Sequence, residues 1–379
     1  MFRWKKLASG VIKRKSRIFA RTIFQSQKNT MIESYPNPRR KHCETGTFLN
    51  MLEYYGYQIS EPMAFGIGSG IYFLYSPFLR MRGVTLPMLR IKPACIVKNF
   101  AERMHIGYHG MRYGCKVNKS MRDLDELVEK KIPVGVVVSV SGLTYFGKIV
   151  NESHFNGHVL TVIGKEGSNY TIADSDSRLY TDDYVYIDEE TMRKIRFAKG
   201  LAAPEGRMFY LDPPSTDFAE KVDLKPAIVQ GLEESCYRML RMPLSYYGYT
   251  GLHRFAKNLK RWKAYFSDEL RGYILLWFYR LIETAGTGGA GYRYIYSDFL
   301  KEAATVFQNE VLEDCSTLMN KDADTWRQFS LDCRRYMKSE NVTLNEMADI
   351  LETIGQQEKE IFTRIDSEFL KSSSALKYA

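Results

Sequence analysis

The chain has 379 residues, of which 45% are hydrophobic and 26% charged, values of an ordinary globular protein long enough to bury a large core without staples. Its net charge of +10 is concentrated at the front: residues 1–42 carry twelve Lys or Arg against the single acid Glu33, and the remainder is close to neutral. That distribution excludes a nucleic-acid-binding surface spread over the fold, and neither zinc-finger spacing nor an aromatic RNA-binding motif is present.

Residues 1–35 read as a basic amphipathic arm. Phe2, Trp4, Leu7, Val11, Ile12, Ile18, Phe19, Ile23 and Phe24 interleave with its cations, several at helical spacing. Residues 1–30 of such an arm make peripheral contact with an anionic membrane or an acidic partner, or pack on the body of the protein. No apolar h-region follows the first charges, so no secretory signal is expected and a cytoplasmic location fits best.

Pro36 and Pro38 make an extended entry segment. From Cys43 to Tyr55 the apolar residues Phe48, Leu49, Met51, Leu52 and Tyr55 fall on one helical face, and Gly56 ends the run. Phe65-Gly66-Ile67-Gly68-Ser69-Gly70 reads as a glycine-rich loop before the strand-like Ile71–Tyr75. It either lines a cleft or is a bend needing positive φ, and it has neither the P-loop nor the dinucleotide pattern. Residues 121–131 read as an amphipathic helix. Strands are expected at 133–140, 158–163, 170–173 and 208–211, with a hairpin turn over 164–169. Helix first and sheet later gives an α+β domain over 36–213.

Pro213-Pro214 marks a break. Residues 214–379 read as an all-helical C-terminal domain, with helices over 218–241, 251–283, 297–319, 322–338 and 343–371, interrupted by Gly286–Gly291. The longest apolar run, Tyr273–Tyr279, is too short to span a membrane. The six cysteines, 43, 95, 115, 236, 315 and 333, are scattered without a CxxC pair, so neither a disulfide framework nor a zinc site is expected.

Three residues carry the chemistry in the order Cys, His, Asp, the layout of a papain-like thiol site. Cys43 opens its helix, where backbone N–H groups and the dipole favour a thiolate. His158, behind Gly157 at the head of an apolar strand, is the expected general base, with His154 as competitor in a more polar loop. Asp174 ends the next strand and is the expected orienter, with Asp176 two residues on as its competitor. The bland readings are a buried core cysteine, a hydrogen-bonded edge histidine and a turn aspartate. The backbone N–H of Cys43 is one candidate oxyanion donor; a second is not evident, the nearest preceding amide being Asn37.

These stretches resemble a known family. His42-Cys43-Glu44-Thr45, Ser60-Glu61-Pro62, the glycine run at 65–70 and His154-Phe155-Asn156-Gly157-His158 are similar to the N-terminal domain of the butirosin biosynthesis protein H family. Tyr247–Ala256 and Gly286–Arg293 resemble the helical domain of unassigned function that often follows it. The resemblance implies a papain-like fold and a cysteine-dependent, amide-forming acyltransferase of specialised-metabolite biosynthesis. Cys43 would attack a carrier-protein or coenzyme A thioester, and a small amine-bearing acceptor would resolve the acyl-enzyme. No tightly bound cofactor is implied beyond the phosphopantetheine arm of the donor. Gly286, Gly288 and Gly289 precede a helix and, with Arg293, make a candidate site for that arm's phosphate; the alternative is a flexible helix–helix connection. The basic arm would dock the acidic carrier protein. Two other functions stay open: a cysteine peptidase or amide hydrolase, and a non-catalytic binding protein on the same scaffold.

Overall fold

The computed structural model describes residues 30–81, 83–146, 156–176, 184–200, 202–214, 222–284, 286–338 and 341–371. The arm up to residue 29 and His154 lie outside the described residues, so the arm's expected contacts are not addressed by the structure.

The first half begins with helix α1 (Cys43–Tyr54), which Gly56 ends in a left-handed conformation. Helix α2 (Glu61–Ile67) follows, started by Ser60, whose side chain accepts the Met63 N–H, and by Pro62 in its first turn. The glycine run is therefore helical through Ile67. Gly66 is there for close approach: a Cβ on it would lie 2.1 Å from the Phe299 ring. A long hairpin, β1 (Ile71–Met81) with β2 (Val84–Arg90), and helix α3 (Cys95–Arg103) come next.

A six-stranded antiparallel sheet forms the other layer, in the order β3-β8-β4-β5-β6-β7. Its strands are Tyr108–Met111, Met208–Leu211, Val134–Ser139, Asn156–Glu166, Asn169–Ala173 and Val185–Asp188. Helices α4 (Val117–Glu129) and α5 (Glu189–Arg196) cover one face around Leu124, Val136, Leu160 and Ile195. Helix α1 covers the other, pinned by the Thr47 hydroxyl donating to the Val159 carbonyl at 3.2 Å.

The second half is helical: α6 (Leu224–Cys236), α7 (Gly248–Lys260), α8 (Trp262–Tyr265), α9 (Asp268–Tyr279), α10 (Arg293–Phe307), α11 (Glu310–Met337) and α12 (Leu344–Arg364). The single helix expected over 251–283 is broken at Phe266, whose backbone is extended, and restarts where Ser267 caps α9. The break expected near residue 320 falls instead at Gln308, left-handed at φ 50°, and Asn309 caps α11. Periodicity does not register such breaks, because the apolar stripe continues through them.

The halves share one hydrophobic core, in which Phe48, Phe65 and Phe100 belong to the same cluster as Phe255, Phe299 and Trp326. The architecture is mixed α/β with a helical C-terminal region. Among the described residues no helix is long and apolar enough to cross a membrane, and all six cysteines are unbridged.

Candidate active site

Cys43 is the first residue of α1 and is 7% exposed. The chain enters the helix through an extended His42, whose Nδ1 accepts the Thr45 N–H at 3.4 Å. The Glu61 carboxylate takes three further donors: the backbone N–H groups of Lys41 and His42, each at 2.8 Å, and the Thr45 hydroxyl at 2.9 Å. Neither acceptor takes the N–H of Cys43, which has no partner among the described residues. A helix N-terminus with an open N–H beside a sulfur favours negative charge there.

His158 arrives on β5 just after a register shift opposite Val138 and Ser139, with Gly157 at φ 103°. Its Nε2 donates to Asp174 Oδ2 at 2.8 Å, and the Cys43 thiol hydrogen-bonds the same ring. The structure therefore brings Cys43, His158 and Asp174 into one hydrogen-bonded line. The Asp176 backbone N–H donates to Asp174 Oδ1 at 3.0 Å, so the competitor supports the carboxylate through its main chain. The Tyr145 hydroxyl donates to Asp174 Oδ2 at 2.7 Å, and the Asp174 carbonyl accepts from Arg39. The Phe146 ring stands edge-on to His158, with centroids 5.2 Å apart.

Two buried histidines flank the sulfur with opposite electrostatics. Burial pulls the His158 imidazole down, but the Asp174 charge and hydrogen bond, with Cys43, outweigh it and hold the ring well above its ordinary value. His42 is held well below its ordinary value by burial and by the charges of Arg90 and His158, so it stays neutral. Its Nε2 has no hydrogen-bond partner among the described residues.

A second layer was not legible in the sequence. Glu44 ion-pairs with Arg90 at 2.9 Å and accepts the Ile96 N–H at 2.9 Å. It thereby caps α3, whose own N-cap, Ala94, offers no side-chain acceptor. Arg90 also donates to the Gly157 carbonyl at 3.5 Å, so one guanidinium ties the residue after Cys43 to the residue before His158. Opposite Arg90 stands Tyr292 from the helical half, its ring stacked on Phe65 at 5.5 Å and edge-on to His42 at 5.2 Å. Only the adjacency of His42 and Glu44 to Cys43 was a usable sequence signal.

Of the phosphate site expected at Gly286, Gly288, Gly289 and Arg293, the structure places Arg293 in the core. That side chain is fully buried, donates to Glu358 at 2.8 Å and to the Gly291 carbonyl at 2.7 Å, and lies 4.8 Å from the Trp326 ring centroid. A phosphate could reach it only by displacing Glu358. The charged neighbours of the loop are mixed: a Cβ on Gly286 would lie 3.9 Å from Asp176, one on Gly288 3.3 Å from the Lys41 side chain, and one on Gly289 2.9 Å from Arg327 and 3.4 Å from Glu283. Gly289, Ala290, Gly291 and Tyr292 are left-handed in succession, at φ 87°, 50°, 56° and 75°. For Ala290 and Tyr292 that conformation costs about 1–2 kcal/mol each, so the glycines turn the chain and the core clamps it.

None of the three aligned residues lines the cavity of about 460 Å³ between Pro38, Arg40, Leu49, Glu53 and Tyr57.

Residues 42–175, which hold all three aligned side chains, match the family described as butirosin biosynthesis protein H, N-terminal. Residues 190–365 match a domain of unknown function, DUF4872. The second match starts before β8, so the last strand in chain order lies within it. No curated protein matches the chain.

Proposed function

We propose, from the premise that the first half of this chain belongs to the butirosin biosynthesis protein H N-terminal family, that the protein is a cysteine-dependent acyltransferase of antibiotic-type specialised metabolism. On this reading the first half is a papain-like catalytic domain. The observation that carries it is the hydrogen-bonded line Cys43–His158–Asp174 at a helix N-terminus.

The chemistry divides into two balanced steps. The Cys43 sulfur attacks the carbonyl carbon of a thioester; the carbon–sulfur bond to the donor breaks, and the donor thiol leaves with a proton from the His158 imidazolium. The amine nitrogen of the acceptor then attacks the acyl-enzyme, the imidazole takes its proton, and Cys43 departs. Thioester and amine become amide and thiol. Asp174, fixed by Tyr145 and the Asp176 N–H, keeps the Nε2–H of His158 directed at itself and Nδ1 toward the sulfur.

The donor carries its acyl group on a phosphopantetheine arm, of a carrier protein or of coenzyme A, and the basic arm, residues 1–35, is the dock proposed for an acidic carrier. Incubation with a carrier-bound thioester, followed by intact-mass measurement, tests the reading. The expected result is one acyl group on the wild type, none on Cys43→Ala, and amide product when an amine is added. Free acid as the sole product would instead favour a hydrolase, and a Cys43→Ala variant with full biological activity a binding protein.

A further inference from the structure

The first half leaves its thiol site one oxyanion donor short: the Cys43 N–H is open, and no second donor from that half has been assigned. The helical half brings the Tyr292 phenol against His42, the neighbour of Cys43, and within electrostatic reach of the sulfur. We propose, resting on the acyl-transfer reading above, that the Tyr292 hydroxyl is the second hydrogen-bond donor to the carbonyl oxygen of the acyl group, and that Arg90 is its positioning residue.

The geometry supports this in three ways. Tyr292 is 5% exposed, its ring wedged between Phe65 and the imidazole of His42, the residue joined to Cys43. Arg90, tied to Glu44 and to Gly157 on the two sides of the sulfur–imidazole pair, hydrogen-bonds the phenol. A guanidinium has only donors, so it occupies the phenol oxygen and leaves the phenol proton directed elsewhere. Among the described residues no acceptor takes that proton. The phenol also stays protonated: burial pushes it up to about 12, with Arg90 opposing. Finally, the chain adopts an unfavourable backbone to put the ring there. Four consecutive left-handed residues end on Tyr292 itself, and the next residue, Arg293, locks them by its bonds to the Gly291 carbonyl and Glu358. Local strain held in place by the core is a mark of a functional position.

The glycine-rich run thus acts on the acyl group and not on a phosphate, and the helical half is a working part of the active site. As the carbonyl becomes tetrahedral, its oxygen takes on negative charge, and a preplaced donor stabilises that charge more than it stabilises the starting carbonyl.

The test is Tyr292→Phe, which keeps the ring and its stacking and removes only the hydroxyl. Two reagents are applied to the full-length protein: S-phenyl thioacetate, which acylates through a tetrahedral oxyanion, and iodoacetamide, which alkylates sulfur without one. Cys43→Ala supplies the background from exposed Cys115. The proposal expects the acylation rate to fall by about 10²-fold, with alkylation within about twofold of wild type and an unchanged melting temperature. Acylation within threefold of wild type overturns it. So does a parallel fall of both rates, which would make the hydroxyl a support for the sulfur. A wild-type Cys43 that is alkylated but never acylated overturns the thioester reading, and this proposal with it.

Discussion

The Glu61 carboxylate accepts the His42 backbone N–H at 2.8 Å, so the residue preceding the sulfur is held by the helix that follows. The same carboxylate serves Lys41 and Thr45. Removing it leaves two backbone donors without their acceptor at the start of α1, while the Thr45 hydroxyl keeps the His42 carbonyl at 3.2 Å. Glu61→Ala is expected to cost about 2–3 kcal/mol in stability, the range for losing a buried charged acceptor at a helix start. Urea unfolding reads that loss, and acylation of Cys43 should slow with it. Glu61→Gln, which keeps the shape and one acceptor oxygen, should recover more than half of the stability.

His158 gives the molecule a pH-dependent contribution to stability. Its folded-state pKa is raised well above the ordinary value, through Asp174 and Cys43 acting against burial. A group raised on folding stabilises fully below its unfolded value, about 6.5, and the contribution is lost as pH rises through the folded value. The stability difference between wild type and His158→Gln should therefore be largest in mildly acidic solution and shrink toward alkaline pH. Chemical denaturation at a series of pH values measures it; a gap that widens with pH would contradict the ion-paired assignment. In the acyl-transfer assay His158→Ala should lose at least ~10²-fold in rate.

Gly66 allows the two halves to touch. A Cβ there would sit 2.1 Å from Phe299, and a Cβ on Gly231 would sit 2.7 Å from the Gly66 carbonyl. Gly66→Ala gains helix propensity but forces a buried ring aside, and the overpacking should dominate at about 1–3 kcal/mol. Adding Phe299→Leu should recover part of the loss, because it vacates the space the methyl needs. Thermal unfolding of the single and double variants checks the sign of that coupling.

What was legible in the sequence follows the range of the signals. Cys43 at a helix start and His158 at a strand head announce themselves within a few residues, and the strand at 208–211 stands as read. Glu44, Glu61, Arg90 and Tyr292 act across long separations, 46 residues between Glu44 and Arg90 and 16 between Thr45 and Glu61. Nothing in their neighbourhoods tells a buried ion pair from a solvated charge. Arg293 shows the converse: beside glycines at a helix start it looked like a phosphate ligand, and only the fold reveals Glu358, 65 residues away, as its partner. Strand β7 escaped because it is only four residues long, and helix α5 because it is short and rich in charge.

Arg293 and Glu358 form an ion pair with 0% and 1% of their side chains exposed, and Trp326 donates its indole N–H to the same carboxylate at 2.9 Å. Beside them Asp322 is fully buried and held well above its ordinary value, by burial first and then by the Glu358 charge. The Arg293 guanidinium is the cation that faces both carboxyls. Arg293→Met keeps most of the side-chain volume but leaves Glu358 charged and unpaired, for an expected loss of about 3–5 kcal/mol. Replacing Glu358 with Gln in the same chain removes that charge and should restore a large share of the stability. The loop ending at Tyr292 is braced by Arg293, so the single variant should also lose acylation activity, and the double variant should regain stability more fully than activity. A protein in which Arg293→Met left stability unchanged would place that guanidinium in solvent and return it to the list of residues open to a ligand phosphate.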